Sequence, residues 1–264
     1  MNTSNRPIAL VTGASSGIGA DLARELARDG HDLILSARRV EPMQKLAEEL
    51  KVLGAQITVI PADLSKTGGA AALVRDIESR SLTVDVLINN AGLGDNSLFH
   101  VEDQTRIGEM MQVNIVALTE LTRALLPGMV ARRRGRVMLV ASTASFQPGP
   151  YMAVYCATKA YVLSLGEAIN FELRGTGVTL SVLCPGGTET EFAKVANSTE
   201  MKLHKNPLVP SMTSAEVARQ GYAALKSGRT VLVTGWFNKT GAFLNRITPR
   251  STATALTGSL LKRA

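Results

Sequence analysis

Ile8-Ala-Leu-Val-Thr12-Gly-Ala-Ser-Ser-Gly-Ile-Gly19 is the stretch that decides the fold. Ile8 to Val11 form a short apolar run of strand length, and an amphipathic stretch of helical period follows at 17–29. A strand that turns on glycines straight into a helix brings unpaired N–H groups and the positive end of the helix dipole to one point, which suits a phosphate. Gly13 serves the tight turn, Gly17 the close approach of backbone to a pyrophosphate, and Gly19 the packing of helix on strand. Ser15, Ser16 and Ile18 complete the loop. Taken alone, the same spacing also suits a tight turn with no ligand.

Working outward, the pattern repeats. Further strand-like runs begin at Asp32, Ile57, Val84, Val137, Val178 and Val231, and helical periodicity marks 41–53, 67–80, 103–133, 153–174 and 214–227. Alternating strands and helices, with the strands apolar on both faces, predict an α/β fold: a parallel sheet of about seven strands covered by helices on each side. No repeat, low-complexity segment or Pro-rich linker divides the chain, so residues 1–264 are expected to form a single domain. Two segments break the alternation. Residues 186–213, with Gly186, Gly187, Pro207 and Pro210, read as a long substrate lid, and 235–264 as a C-terminal extension with a helix near Thr252–Lys262.

Composition narrows the rest. With 264 residues and 45% hydrophobic content the chain can bury its own core and is not disordered. Two cysteines, Cys156 and Cys184, exclude a disulfide framework and are expected as small buried thiols in a reducing, cytoplasmic setting. No run approaches 18 consecutive apolar residues, and MNTSNRP lacks the layout of a signal peptide. The net charge of +7 is uneven: residues 194–264 hold 11 basic and 2 acidic side chains. Without interleaved aromatics or a binding motif, no nucleic-acid partner is expected. Arg132, Arg133, Arg134 and Arg136 follow a long helix, where positive charge suits the C-terminal end. His31, His100 and His204 lack metal-ligand spacing, so no metal is expected.

The glycine spacing is G-x-x-x-G-x-G, and further motifs follow in order: Asn89-Asn-Ala-Gly92, Asn114, Ser142, Tyr155-x-x-x-Lys159 thirteen residues after that serine, Pro185-Gly186 and Thr190. Over residues 7–233 the chain resembles the classical branch of the short-chain dehydrogenase/reductase family. The resemblance implies a single Rossmann-type α/β domain, dinucleotide-binding and catalytic, whose doubly wound parallel sheet binds a nicotinamide dinucleotide at its carboxyl edge. Asp63 and Leu64 would contact the adenine ring, and Asn90, Ala91 and Gly92 the adenosine ribose. Thr188, Thr190, Pro185 and Gly186 would line the carboxamide end, with Tyr155 and Lys159 also against the cofactor.

The catalytic set implied is Asn114, Ser142, Tyr155 and Lys159, transferring a hydride to a carbonyl carbon. Tyr155 and Lys159, four residues apart on a helix, share a face, and an ammonium there is expected to lower the phenol's pKa. Ser142 would hydrogen-bond the substrate oxygen, and Asn114 would hold a water linking Lys159 to solvent. The second strand ends Ser36-Ala37-Arg38-Arg39 with no carboxylate. Two guanidiniums suit a 2′-phosphate, so the cofactor expected is NADP(H) rather than NAD(H).

Substrate contacts are expected from Ser142, Phe146, Tyr151 and Tyr155, with Leu98, Phe99, Met152, Met201, Leu203, Leu208, Val209 and Met212 as further apolar candidates for a small lipophilic carbonyl. Lys194, Lys202 and Lys205 are candidates for attracting an anionic head. The expected activity is reduction of a ketone, aldehyde or 3-oxoacyl group. The alternatives are a sensor or scaffold without turnover, and a lipid-directed reductase at a membrane surface. The resemblance also implies a homodimer or homotetramer built on the helices at 103–133 and 153–174. The extension, from Trp236 onward, mixes Phe237, Phe243, Leu244 and Ile247 with Arg246, Arg250, Lys262 and Arg263. Packing or assembly is the favoured expectation for it, and contact with an anionic membrane the other.

Overall fold

The computed structural model describes residues 6–205 and 209–263, with the backbone alone at His204 and Lys205. The expectations placed on Pro207, Leu208 and the side chains of His204 and Lys205 therefore lie outside the described residues. In chain order the elements are β1 (Ile8–Thr12), α1 (Gly17–Arg28), β2 (Asp32–Ser36), α2 (Val40–Lys51), β3 (Ile57–Val59), α3 (Gly69–Ser79) and β4 (Val84–Asn89). Then come α4 (Gln104–Met111), α5 (Leu118–Ala131), β5 (Gly135–Val140), α6 (Ala153–Glu172), β6 (Val178–Cys184), β7 (Thr188–Glu189), α7 (Phe192–Val195) and α8 (Lys202–Lys205). β8 (Met212–Thr213), α9 (Ser214–Ser227), β9 (Val231–Val233), α10 (Trp236–Ile247) and α11 (Arg250–Leu261) close the chain.

Seven strands form one parallel sheet in the order β3-β2-β1-β4-β5-β6-β9. Side chains alternate across it as strand geometry requires. Leu10, Ile34 and Leu87 pack on one face with helices α3, α5 and α6, while Val11, Leu35 and Ile88 pack on the other with α1, α2 and α9. The order reverses between β1 and β4, and at such a switch point the loops beyond the carboxyl ends diverge and leave a crevice.

Residues 104–131 run as one continuous helical stretch, long and apolar enough by length and composition to cross a membrane. Its buried Leu118, Leu121 and Met129 belong to the core beneath the sheet, and α5 packs on β4 and α3. A π-helical turn, Gln112–Ala117, separates α4 from α5 and carries Asn114, where the sequence suggested an unbroken helix. The arginines after α5 tie the next turn down. Arg132 donates to the Val84 carbonyl at 2.9 Å, and Arg134 pairs with Asp85 at 2.9 Å.

The extension holds two helices rather than one. α11 folds back over the sheet's carboxyl edge. Asn96 Nδ2 donates to the Leu261 carbonyl at 3.0 Å, and Arg263 Nη2 to the Asn96 carbonyl at 2.7 Å.

Candidate active site

A cleft of about 500 Å³ opens at the switch point, floored by the ends of β1, β2, β4, β5 and β6. At one end lies the glycine loop. Gly13 takes φ +64°, and a Cβ on Gly19 would stand 2.5 Å from the Gly13 carbonyl oxygen. The loop is fastened to β4 by Asn90, whose Nδ2 donates to the Thr12 and Gly13 carbonyls at 3.0 and 3.2 Å. Thr12 Oγ1 accepts from the Asn90 and Ala91 amides at 3.0 and 3.1 Å.

Ser16 is the N-cap of α1, yet its side chain does not cap, and no acidic residue stands in the first turn. The first amides of α1 are therefore left for an anion. Ser36, at the end of β2, lines the cleft with a buried hydroxyl that has no partner among the described residues. Arg38 lines the same end, exposed, and its charge helps hold the Asp63 carboxyl below the usual range, after the larger effect of the Ser65 hydroxyl. These features fit a dinucleotide: a glycine cradle, open helix amides, a buried hydroxyl without a partner among the described residues, and an exposed guanidinium.

Arg39 departs from the expectation. Its Nη2 donates to Glu191 Oε2 at 2.7 Å and to Ser15 and Ser16 Oγ at 3.3 and 3.1 Å. The guanidinium thus clasps the glycine loop to the segment before α7 and holds the Glu191 carboxyl below its usual range. Of the two arginines, Arg38 is the one with no ion pair among the described residues.

At the other end, β5 and α6 bring Ser142, Tyr155 and Lys159 together. Ser142 caps a 3-10 turn, Thr143–Phe146, by accepting from the Ala144 amide at 3.1 Å. Its hydroxyl donates to the Pro185 carbonyl at 3.4 Å. Lys159 is 4% exposed, and its Nζ donates to the Val140 carbonyl at 2.8 Å. That nitrogen stands 5.9 Å from the centre of the Tyr155 ring.

The electrostatics differ from the sequence expectation. Burial pushes the Tyr155 phenol up, with the Ser142 side chain opposing it only in part. Burial also lowers Lys159 to about 8. The cause is desolvation, which disfavours both charged forms, and the ammonium donates to a backbone carbonyl rather than to the phenol. Burial thus favours the protonated phenol. Cys156 and Cys184, both free and buried, are pushed up to about 12 by burial.

Asn114 is wholly buried beside this group. Its Oδ1 accepts from the Leu93 amide at 2.9 Å, while Nδ2 donates to the Leu93 carbonyl at 2.8 Å and to Thr158 Oγ1 at 2.9 Å. The amide therefore pins the loop after β4 against α6. Gly92 fills the gap: a Cβ there would meet Lys159 Nζ at 3.3 Å and Asn114 Oδ1 at 3.4 Å.

Ser15, Ser16, Gly17, Ile18, Leu64, Ala91, Pro185, Gly186, Thr188 and Thr190 line the cleft with the groups already placed. Gly19 and Asn114 lie beneath it, in contact with lining residues. Phe146 and Tyr151 do not line it. Both are partly buried against the core, and Tyr151 is held at φ +68° with its carbonyl accepting from the Ser97 amide at 2.8 Å. The neighbouring residues Gln147 and Met152 take the lining positions instead. Leu98 and Phe99 point to solvent, and Met212 packs under the sheet, whereas Met201 and Leu203 reach the cleft. Sequence reasoning missed Glu191, Thr257 and Leu261 as lining residues; the last two are delivered by α11, for which no local motif exists.

Comparison with known proteins finds related sequences and related folds. The family model described as short chain dehydrogenase matches residues 7–201. The ketoacyl reductase HetN of a Nostoc species is 32% identical over 233 residues, 88% of this chain and 80% of the relative. A short-chain dehydrogenase from Sphingobium yanoikuyae, solved in complex with NADPH, superposes with a TM-score of 0.80 at 30% identity, covering 91% of this chain and 95% of that one. The bulky-bulky ketone specific alcohol dehydrogenase of Comamonas testosteroni superposes with a TM-score of 0.77 at 29% identity, covering 92% and 93%.

Proposed function

Since the chain belongs to the short-chain dehydrogenase family of oxidoreductases, we propose that it reduces a lipophilic carbonyl compound with NADPH, Tyr155 serving as the proton donor. The observation that carries this reading is the convergence of Ser142, Tyr155 and Lys159 in one cleft with the glycine loop and Arg38. When bound, the nicotinamide dinucleotide supplies the hydride equivalent. The glycine loop and the first amides of α1 would hold its pyrophosphate, and Ser36 and Asp63 would face its adenosine end.

Tyr155, kept protonated by burial, gives its proton to the carbonyl oxygen, and Ser142 donates a second hydrogen bond to that oxygen. Lys159 then supports the return of a proton to the phenol. Asn114 acts as a positioning residue, holding Leu93 and Gly92 against Lys159.

The proton inventory has a pH consequence. Lys159 at about 8 is an ammonium below that pH and neutral above it. The kcat for carbonyl reduction is therefore expected to fall as pH rises through about 8. A profile flat to about pH 10, the range of an ordinary lysine, contradicts the role given to Lys159.

Cofactor choice rests on Arg38, which carries no ion pair among the described residues, whereas Arg39 is engaged with Glu191. Arg38→Asp removes the partner of a 2′-phosphate and supplies one for ribose hydroxyls. It is expected to shift preference from NADPH toward NADH by about tenfold to a hundredfold, the worth of a charge-assisted hydrogen bond. Unaltered preference, measured as the ratio of kcat/KM for the two cofactors, excludes Arg38 and transfers the role to Arg39.

The substrate end is walled by Leu93, Val113, Met152, Phe192, Met201 and Leu261. That lining supports a ketone, aldehyde or 3-oxoacyl chain of apolar character. Within the 186–213 lid, the described segment before α7 is fastened to the glycine loop by the Arg39–Glu191 pair. Exposed Met111, Val116, Tyr161 and Phe171 on the helices at 104–131 and 153–172 support a homo-oligomer through that face.

A further inference from the structure

α10 is turned inside out. The side chains it directs toward the protein are Asn238, Ala242 and Asn245, all half-buried. Asn238 Nδ2 donates to the Thr234 carbonyl at 2.9 Å, and Asn245 Nδ2 to Gln147 Oε1 at 3.1 Å. Trp236, Phe237, Phe243, Leu244 and Ile247 share the opposite arc of the helix, since their spacings fall on one stripe at 3.6 residues per turn. Trp236 is 77% exposed, Phe243 62% and Ile247 69%, and no residue of α10 is buried. A surface helix of a globular protein shows the reverse arrangement.

Charge identifies what the stripe meets. Residues 235–264 carry Lys239, Arg246, Arg250, Lys262 and Arg263 and no Asp or Glu. Lys239 and Arg246 fall beside the stripe on the helical wheel. We propose that α10 docks on an anionic lipid surface, lying in the interfacial plane with its aromatic and aliphatic side chains inserted and its cations on the lipid phosphates. A second copy is a poorer occupant, because a self-complementary contact sets the five cations of one extension against those of the other.

The docking face also adjoins the cleft. α10 packs against the 3-10 turn that follows Ser142, and α11 contributes Thr257 and Leu261 to the cleft lining. If the proposed carbonyl substrate is lipophilic, docking brings the cleft to the phase in which that substrate dissolves. This last clause rests on the proposed function; docking itself does not.

Trp236 is the sole tryptophan of the chain, so its emission reports on this helix alone. The full chain is mixed with vesicles of phosphatidylcholine, or of phosphatidylcholine with phosphatidylglycerol, and both flotation and emission are read. With the anionic vesicles the emission is expected to shift to the blue, and flotation to exceed that with neutral vesicles by at least about tenfold. Phe243→Ser with Ile247→Ser is expected to abolish both signals, and Lys239→Gln with Arg246→Gln to remove the preference for anionic lipid. Circular dichroism should stay unchanged in each pair, since these side chains are exposed. Absence of both the blue shift and flotation with anionic vesicles overturns the proposal. So does emission that is already blue without lipid and moves to the red on dilution to monomer, which would assign the stripe to a second copy.

Discussion

Tyr155→Phe is expected to lower kcat for carbonyl reduction by about a thousandfold, in the range that a positioned general acid contributes. The substitution removes one O–H group and little else. The ring keeps its place beside Phe192, with centroids 5.5 Å apart and planes tilted by 46°. Burial of the phenol favours the same outcome, because a hydroxyl deleted from an apolar surrounding leaves no charged group stranded. Cofactor affinity, read by titration of nicotinamide fluorescence, should change by less than about threefold, because the glycine loop and Arg38 are untouched. Wild-type kcat in the variant would remove Tyr155 from the chemistry. A parallel loss of cofactor affinity would make its role one of binding.

The second large effect is on stability. Asn114→Leu deletes an amide with no solvent exposure and three hydrogen bonds. Thr158 keeps its bond to the Tyr155 carbonyl at 2.7 Å, but the Leu93 amide and carbonyl are left without the side chain that satisfies both. Two buried backbone groups without partners cost about 2–5 kcal/mol together. For a chain of this size that is a fall in Tm of roughly 5–15 °C. The π-helical turn makes the same point from the backbone, since Asn114 lies within Gln112–Ala117, where the regular ladder shifts. An unchanged Tm in the variant would show that the loop after β4 is held by other contacts.

The parts of the molecule legible in the sequence are those encoded locally. Gly13, Gly17 and Gly19 announce the turn from β1 to α1, and strands apolar on both faces announce a parallel sheet covered on each side. Lys159 and Tyr155 share a helical face by spacing alone. Distant contacts are not written in this way. Leu261 reaches the cleft because Asn96 binds its carbonyl across 165 positions, and no local pattern in α11 announces that.

α10 shows a different limit. Its apolar periodicity is visible, but periodicity names a face without saying which way it turns, and here Asn238 and Asn245 take the protein side. Phe146 and Tyr151 were credible substrate contacts by position, yet the positive φ at Tyr151 accompanies a turn in which Met152 reaches the cleft instead. The directions of the Tyr155 and Lys159 shifts depended on burial, which sequence spacing does not report.

The central claim is that this cleft turns over a carbonyl substrate with NADPH. The most direct test follows absorbance at the nicotinamide band while wild-type protein meets ketones, aldehydes and 3-oxoacyl thioesters, with NADPH and NADH in parallel. The expected result is saturable NADPH consumption matched by alcohol formed, and slower consumption of NADH. Tight NADPH binding without turnover across the panel would contradict the claim and make the protein a dinucleotide-binding sensor or scaffold.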